Sequence, residues 1–456
     1  MNFNSILFLF TILPIIFLLY LCIPKKLKNA YLVIVSLLFY SWGDQKNILF
    51  FVTLIIYNYF SNQYIDRKKG KDRKLYFIMN LLINLFILIY YKYYSGILDF
   101  IVKDTIHYQI LPVPIGLSFY IFSLISYNVD VYTKKIEAEK NLIDFSLYVS
   151  FFPKLLMGPI TRYDEIKEKI KKRSITKPLF NNGMKRFIIG LAMKVILANT
   201  FASILSQIQV ISVTSALLSV FTFTLQIYFD FCGYSHMAIG LGNMFGFILP
   251  ENFKYPYLAT SISDFWRRWH MTLGSFFKDY VYIPLGGNRV GKIRLVMNLM
   301  VVWVLTGMWH GATLNFMLWG AYFGVLIVLE KLFFRKILEK IPKIFSILYS
   351  FLLVSFGWIF FYCTDFASIS NHIGCLFGGN GFSDFESLFL FRNNWCYYLI
   401  GIIACTPIFK NLYKVLYSKN QLVMNVLNIA VMIIILVITS SYLVSDTFVS
   451  FLYSNF

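Results

Sequence analysis

Two histidines stand where proton chemistry is costly to place: His270, closing the run WRRWH at 266–270, and His310, inside TGMWHG at 306–311. A neutral imidazole takes a proton from a hydroxyl near pH 7, which makes histidine the usual general base. An alcohol relieved of its proton beside His310 could attack an acyl thioester. Burial would lower the histidine pKa and hold the ring neutral, ready to accept. The bland alternative is a histidine hydrogen-bonded inside a helix bundle. An ionisable group at membrane depth tilts the balance toward function.

The elements that must position these rings are legible in part. His310 lies in an uncharged run, 295–329, bounded by Arg294 and Lys331. As one helix the run would measure about 52 Å, against a hydrocarbon core of about 30 Å. Basic residues at both ends keep both ends cytoplasmic, so the run must fold back. Gly311 is the expected bend. The residues before it climb only about 22 Å, which leaves His310 inside the membrane. Around His270, apolar residues at 262, 265, 266, 269, 273, 276, 277 and 280 predict one amphipathic helix over 262–280. Ser263 is its expected N-cap, with Asp264 in the first turn. His270 then projects between Trp266, Leu273 and Phe277, where packing competes with chemistry.

The chain is 58% hydrophobic and 14% charged, more apolar surface than a soluble fold can hide, so an all-α polytopic membrane protein is expected. Segment 6–23 has no charge before it and no small-residue cleavage site after it; it is expected to be a retained first helix rather than a signal peptide. The formal charge of +20 does not point to nucleic acid, because the positives fall in short loops at 25–28, 67–74, 134–135, 162–177 and 331–343. These are expected cytoplasmic anchors, which places the N-terminus outside. Segments 30–42, 47–63, 75–93, 111–131, 186–204, 208–229, 344–363, 397–410 and 423–445 complete the expected spans. Segment 142–161, with Pro153, Gly158 and Pro159, suits a re-entrant or interfacial stretch. The stretch 364–394 is expected to be a long loop. With no internal repeat and no linker, residues 1–456 form a single expected domain.

Other motifs carry less. GGNRVGK at 286–292 lacks the Ser/Thr of a P-loop and follows no strand, so its glycines are expected to make a tight turn. Arg289, Lys292 and Arg294 there could meet carrier phosphates or simply anchor topology. Asp230 is expected to cap an interfacial turn at Gly233. Five histidines without clustered Cys or Asp make no metal site. The six cysteines suit buried packing, although Cys375 and Cys396 could pair in an oxidising compartment.

Five segments in order bring a family into view: LPVPIGLSFYIF (111–122), FFPKLLMGPITRYDE (151–165), YFDFCGYSHMAIGLGNMFGF (228–247), FWRRWHMTLGSFFKDYVYIPLGGNR (265–289) and TGMWHGATLNFMLWG (306–320). The chain resembles the membrane-bound O-acyltransferase family, within it the bacterial branch typified by alginate O-acetyltransferase, over a motif core of about 111–324. The resemblance implies a ring of about 11 transmembrane helices, with re-entrant and interfacial helices, around a thinned centre. It places the family's near-invariant histidine on His310 and its second histidine on His270. YIPLGGNR at 282–289 favours the acetyl-transferring branch over the D-alanyl transferases of teichoic acid. Cys232 and His236 depart from that branch's Ser and Asp, so His236 is not carried over as a site residue.

The resulting expectation is a multi-pass enzyme of the bacterial cytoplasmic membrane, in contact with membrane lipid and not nucleic acid. It would move an acyl group, foremost acetyl, from a cytoplasmic thioester such as acetyl-coenzyme A, with no permanently bound cofactor. The acceptor would be a hydroxyl of a cell-envelope polysaccharide or exopolysaccharide, or of an extracytoplasmic esterase-like partner acting as relay. His310 and His270 are the expected catalytic pair, with Trp309, Asn315, Trp266 and Arg289 at the substrate. D-alanyl transfer to teichoic acid from an acyl carrier protein is the near rival. A lipid-linked-sugar transporter is a remote one, since such proteins often carry inverted repeats.

Overall fold

In a computed structural model, residues 3–102, 112–445 and 451–452 are described. Position 111, which opens the motif core, lies outside them. Among the described residues every regular element is helical, as expected of backbone that must satisfy its own hydrogen bonds in lipid. Eight helices are long and apolar enough to cross a membrane, or nine if the pair Phe385–Ala404 and Ile408–Lys419, bent by 65°, counts as one span. The expected count was about 11. The shortfall has a geometric cause: Lys28–Gly43 and Leu117–Tyr132 have 16 residues each, about 24 Å of rise against about 30 Å of hydrocarbon. The apolar helix Phe8–Cys22 is likewise short.

Two compact units emerge. The first comprises residues 1–187, 234–251 and 450–456. Its helices Ile48–Arg67 and Gly70–Val102 are joined by a reciprocal amide pair. Asn58 Nδ2 donates to Asn84 Oδ1 at 3.2 Å and Asn84 Nδ2 returns a bond to Asn58 Oδ1 at 3.0 Å, both residues fully buried. The stretch 142–161 begins with a regular helix, Leu142–Ser150, and its backbone turns irregular after Ser150, where Pro153, Gly158 and Pro159 fall. Only Phe152–Leu155 is helical before Tyr163, and side chains serve the loose backbone: Ser36 Oγ accepts from the Phe152 N–H, and Tyr148 Oη donates to the carbonyls of Ser123 and Thr161. Buried backbone left without such partners would be costly.

The second unit comprises residues 188–233 and 252–449. It holds residues 188–207 of the span Lys177–Gln207, with the π-helical stretch Met193–Ala198, and residues 213–233 of Val213–Met244, a helix of 32 residues. The expected turn at Gly233, with Asp230 as its cap, is therefore overturned. Asp230 is 1% exposed inside that helix and pairs with Lys194 at 2.6 Å. Gly233 is needed because a Cβ there would stand 2.8 Å from the Gly190 carbonyl oxygen. Removing one partner of a buried ion pair typically costs about 3–5 kcal/mol, whereas an apolar replacement of both can be neutral. Asp230→Ala is accordingly expected to lower the denaturation midpoint sharply, and Lys194→Met with Asp230→Leu to recover most of it. Equal midpoints for the single and double variants would contradict this.

The expected loop at 364–394 is largely helical. Phe366–Leu376 starts on Asp365, whose carboxylate accepts from the Ser368 N–H, and Phe385–Ala404 starts on Asp384, which accepts from the Ser387 N–H. No disulfide joins the described cysteines, and Cys375 is buried while Cys396 is exposed.

Candidate functional site

The uncharged run does fold back on itself. Lys292–His310 and Leu314–Leu329 are separate helices, and Gly311 breaks between them in extended backbone (φ 176°, ψ 169°). Two glycines let the helices touch: a Cβ on Gly307 would sit 2.2 Å from the Phe316 carbonyl oxygen, and one on Gly320 would sit 2.4 Å from that of Trp303. Small residues at such contacts are what allow membrane helices to pack backbone against backbone. His310 therefore ends a helix at the chain reversal, with only 3% of its surface exposed. Its ring lies 4.8 Å from Trp309, 4.9 Å from Trp319 and 5.2 Å from Phe361, each near perpendicular.

His270 is positioned by a different device from the one expected. The predicted helix over 262–280 is broken into Ile262–Trp266 and Met271–Phe277, followed by the π-turn Lys278–Tyr282. His270 occupies the break in left-handed backbone, φ 45°, ψ 51°. A non-glycine residue there costs on the order of 1–3 kcal/mol and persists only when its surroundings hold it. Asn252 does the holding. Its carbonyl oxygen accepts from the Met271 N–H, and its Oδ1 accepts from both the N–H and the hydroxyl of Thr272. The N-cap is Ser261, accepting from the Asp264 N–H, rather than Ser263. Ser263 instead donates through N–H and hydroxyl to Glu330, whose carboxylate also receives the Ile262 N–H. A buried carboxylate on one element thus anchors the start of the WRRWH helix, where the helix dipole favours negative charge.

Because Asn252 Oδ1 already accepts from Thr272, the 3.2 Å contact with His270 Nδ1 makes that nitrogen the donor. The lone pair then sits on Nε2. The ring packs edge-on against Phe231 at 4.7 Å and lies 5.9 Å from Trp309, so the two histidines flank one indole. Burial pushes the His270 pKa down to about 3. Unfolded, the same ring protonates near pH 6.5. Between those values the unfolded chain holds the extra proton, so the stability from this ring is complete above pH 6.5 and drains away as pH falls toward 3. His270→Gln is expected to flatten the loss of melting temperature between pH 7 and 4.5; parallel slopes for variant and parent would refute it.

The other expected site residues divide. Trp309 joins the histidines, and Trp266 packs against Trp303 at 4.8 Å, Phe323 at 5.0 Å and Trp319 at 5.4 Å. Asn315 is buried, and its Nδ2 donates to the Cys363 carbonyl at 2.6 Å, tying the hairpin to the end of Lys343–Tyr362. Arg289 is not brought into this cluster. It is exposed on the glycine turn, where Gly286 and Gly287 do take positive φ (105° and 55°) and Lys331 holds Asn288 Oδ1 at 2.5 Å. Sequence reasoning missed Asn252, Glu330, Trp319, Trp358 and Phe361. Glu330 alone left a trace, as the acid closing an apolar run.

Comparison with known proteins finds relatives over most of the chain. Residues 32–369 match the profile of MBOAT, the membrane-bound O-acyltransferase family. The chain is 36% identical over 392 residues to a protein of Pseudomonas syringae pv. tomato named "Probable alginate O-acetylase AlgI", covering 83% of this chain and 75% of that one. It is 32% identical to the "Peptidoglycan O-acetyltransferase" of Helicobacter pylori, covering 90% and 86%. With the "Teichoic acid D-alanyltransferase" of Bacillus subtilis it shares 28% over 54% of this chain and 68% of the other.

Proposed function

We propose, on the premise that the chain belongs to the membrane-bound O-acyltransferase family and is an O-acyltransferase, that the group it moves is acetyl. The donor is a cytoplasmic thioester, acetyl-coenzyme A, and the acceptor a hydroxyl of an extracytoplasmic polysaccharide or of an esterase-like relay partner. The membrane is then the bacterial cytoplasmic membrane. The observation that carries this reading is His310, buried at the reversal of an apolar hairpin and walled by aromatic rings.

The chemistry is a balanced exchange. His310 takes the alcohol proton as the oxygen attacks the thioester carbonyl; the tetrahedral intermediate collapses, the C–S bond breaks, and His310 returns the proton to sulfur. His270 orients the donor through its Nε2 side, with Trp309 between the two rings. Trp266 and Asn315 fix the wall and the hairpin, and Arg289 meets the carrier's phosphates at the exposed turn. The dry aromatic surroundings protect the thioester from water. Acetyl rather than D-alanyl is supported by the greater share of the chain aligned with the two O-acetyl-transferring relatives.

Deleting the gene and assaying the envelope fraction for alkali-labile acetate and, separately, alanine tests the reading. Loss of acetate alone is expected. Loss of alanine alone would replace the donor with a D-alanyl carrier, and no loss of either would overturn acyl transfer to the envelope.

A further inference from the structure

The aromatic wall around His310 holds more hydrogen-bond donors than packing needs. The indole Nε1 atoms of Trp266, Trp319 and Trp358 are buried and have no hydrogen-bond partner among the described residues. Trp319 and Trp358 are each 1% exposed. A buried N–H without an acceptor is expensive, and phenylalanine fills such space without that cost. Phe323 and Phe361 do so in the same cluster, 5.3 Å and 5.6 Å from Trp319. Of the three indoles only Trp319 lies against the His310 ring, at 4.9 Å and 83°.

We propose that Trp319 is a further catalytic residue, whose indole N–H donates to the acyl carbonyl oxygen while transfer occurs at His310. This rests on the acyl-transfer reading above. When the alcohol oxygen bonds to the carbonyl carbon, the carbonyl electron pair moves onto its oxygen, and that charge needs a donor already in place. A fixed donor in a dry site stabilises it without reorganising at the moment of reaction. When the pair returns and the C–S bond breaks, the N–H is left for the next substrate. The donor serves any thioester carbonyl, so it sets rate rather than choice of acyl group.

The test uses the full chain in a strain lacking its own copy, and reads the initial rate of alkali-labile acyl incorporation into the envelope at matched protein levels. Trp319→Phe removes the N–H, and site-specific 3-benzothienylalanine at 319 replaces it with sulfur at nearly unchanged shape. Both are expected to slow incorporation by about 10²-fold, the usual effect of losing one such donor. A parental rate in Trp319→Phe would overturn the proposal. So would a slow Trp319→Phe restored by the sulfur isostere, which would assign the indole to packing. His310→Ala separates the levels: silence there with full activity in both position-319 variants refutes Trp319 alone. A parent strain with no incorporation removes the acyl-transfer reading and the donor together.

Discussion

His310→Ala is expected to lower acyl transfer by about 10³-fold or more while the protein still accumulates in the membrane. General-base assistance by itself is worth about 10²–10⁴, and the rings of Trp309, Phe316, Trp319 and Phe361 that face His310 carry no group able to take over the proton. The loss of a buried imidazole also leaves a hole, so His310→Gln belongs beside it: similar volume, a polar tip, and no ability to carry the proton. Both variants should elute as folded species in detergent and melt within a few degrees of the parent. Envelope acylation that persists at the parental level in either variant would falsify the assignment of His310.

The second large effect is on the scaffold. Gly320→Val is expected to destabilise the protein by about 3 kcal/mol or more and to silence it. A Cβ at 320 would meet the Trp303 carbonyl oxygen at 2.4 Å and the backbone of Gly307 at 3.2 Å. Neither neighbour is a flexible side-chain end, so the helices themselves must separate, and overpacking that moves backbone lies at the upper end of such costs. His310 sits three residues beyond Gly307 on one of those helices and would move with it. Gly374→Ala is the matched control. Nothing lies within 4 Å of a Cβ there, and alanine is the better helix former by about 1 kcal/mol. Fluorescence-detected size exclusion with a thermal ramp distinguishes the two, and equal melting temperatures would refute the packing account.

What could be seen in advance depended on whether one segment decided the outcome. The hairpin was legible because length, charge and Gly311 all lie within 295–329 and admit one solution. The break at His270 was not, because apolar positions at 262, 265, 266, 269 and 273 keep helical spacing straight across it. The chain leaves the helix there because Asn252, from a separate stretch, offers better partners to the backbone of Met271 and Thr272. Asp230 misled for a related reason. An acid near a glycine suits a turn until its partner, Lys194 on another helix, is known. The helices at 366–376 and 385–404 were a different kind of miss. Asp365 with Ser368, and Asp384 with Ser387, are local capping signals that the polar composition of the stretch concealed.

The paired amides of Asn58 and Asn84 have a consequence for how their helices align. Each carries a donor and an acceptor that the other consumes. Two smooth aliphatic rods can slide past one another in a bilayer with little penalty, but a slip of a single position here would strip both side-chain oxygens of the N–H they accept, while each NH2 keeps its bond to its own helix. The pair therefore fixes the register of the two helices, and a leucine at either position is expected to yield protein that inserts yet melts at a lower temperature in detergent.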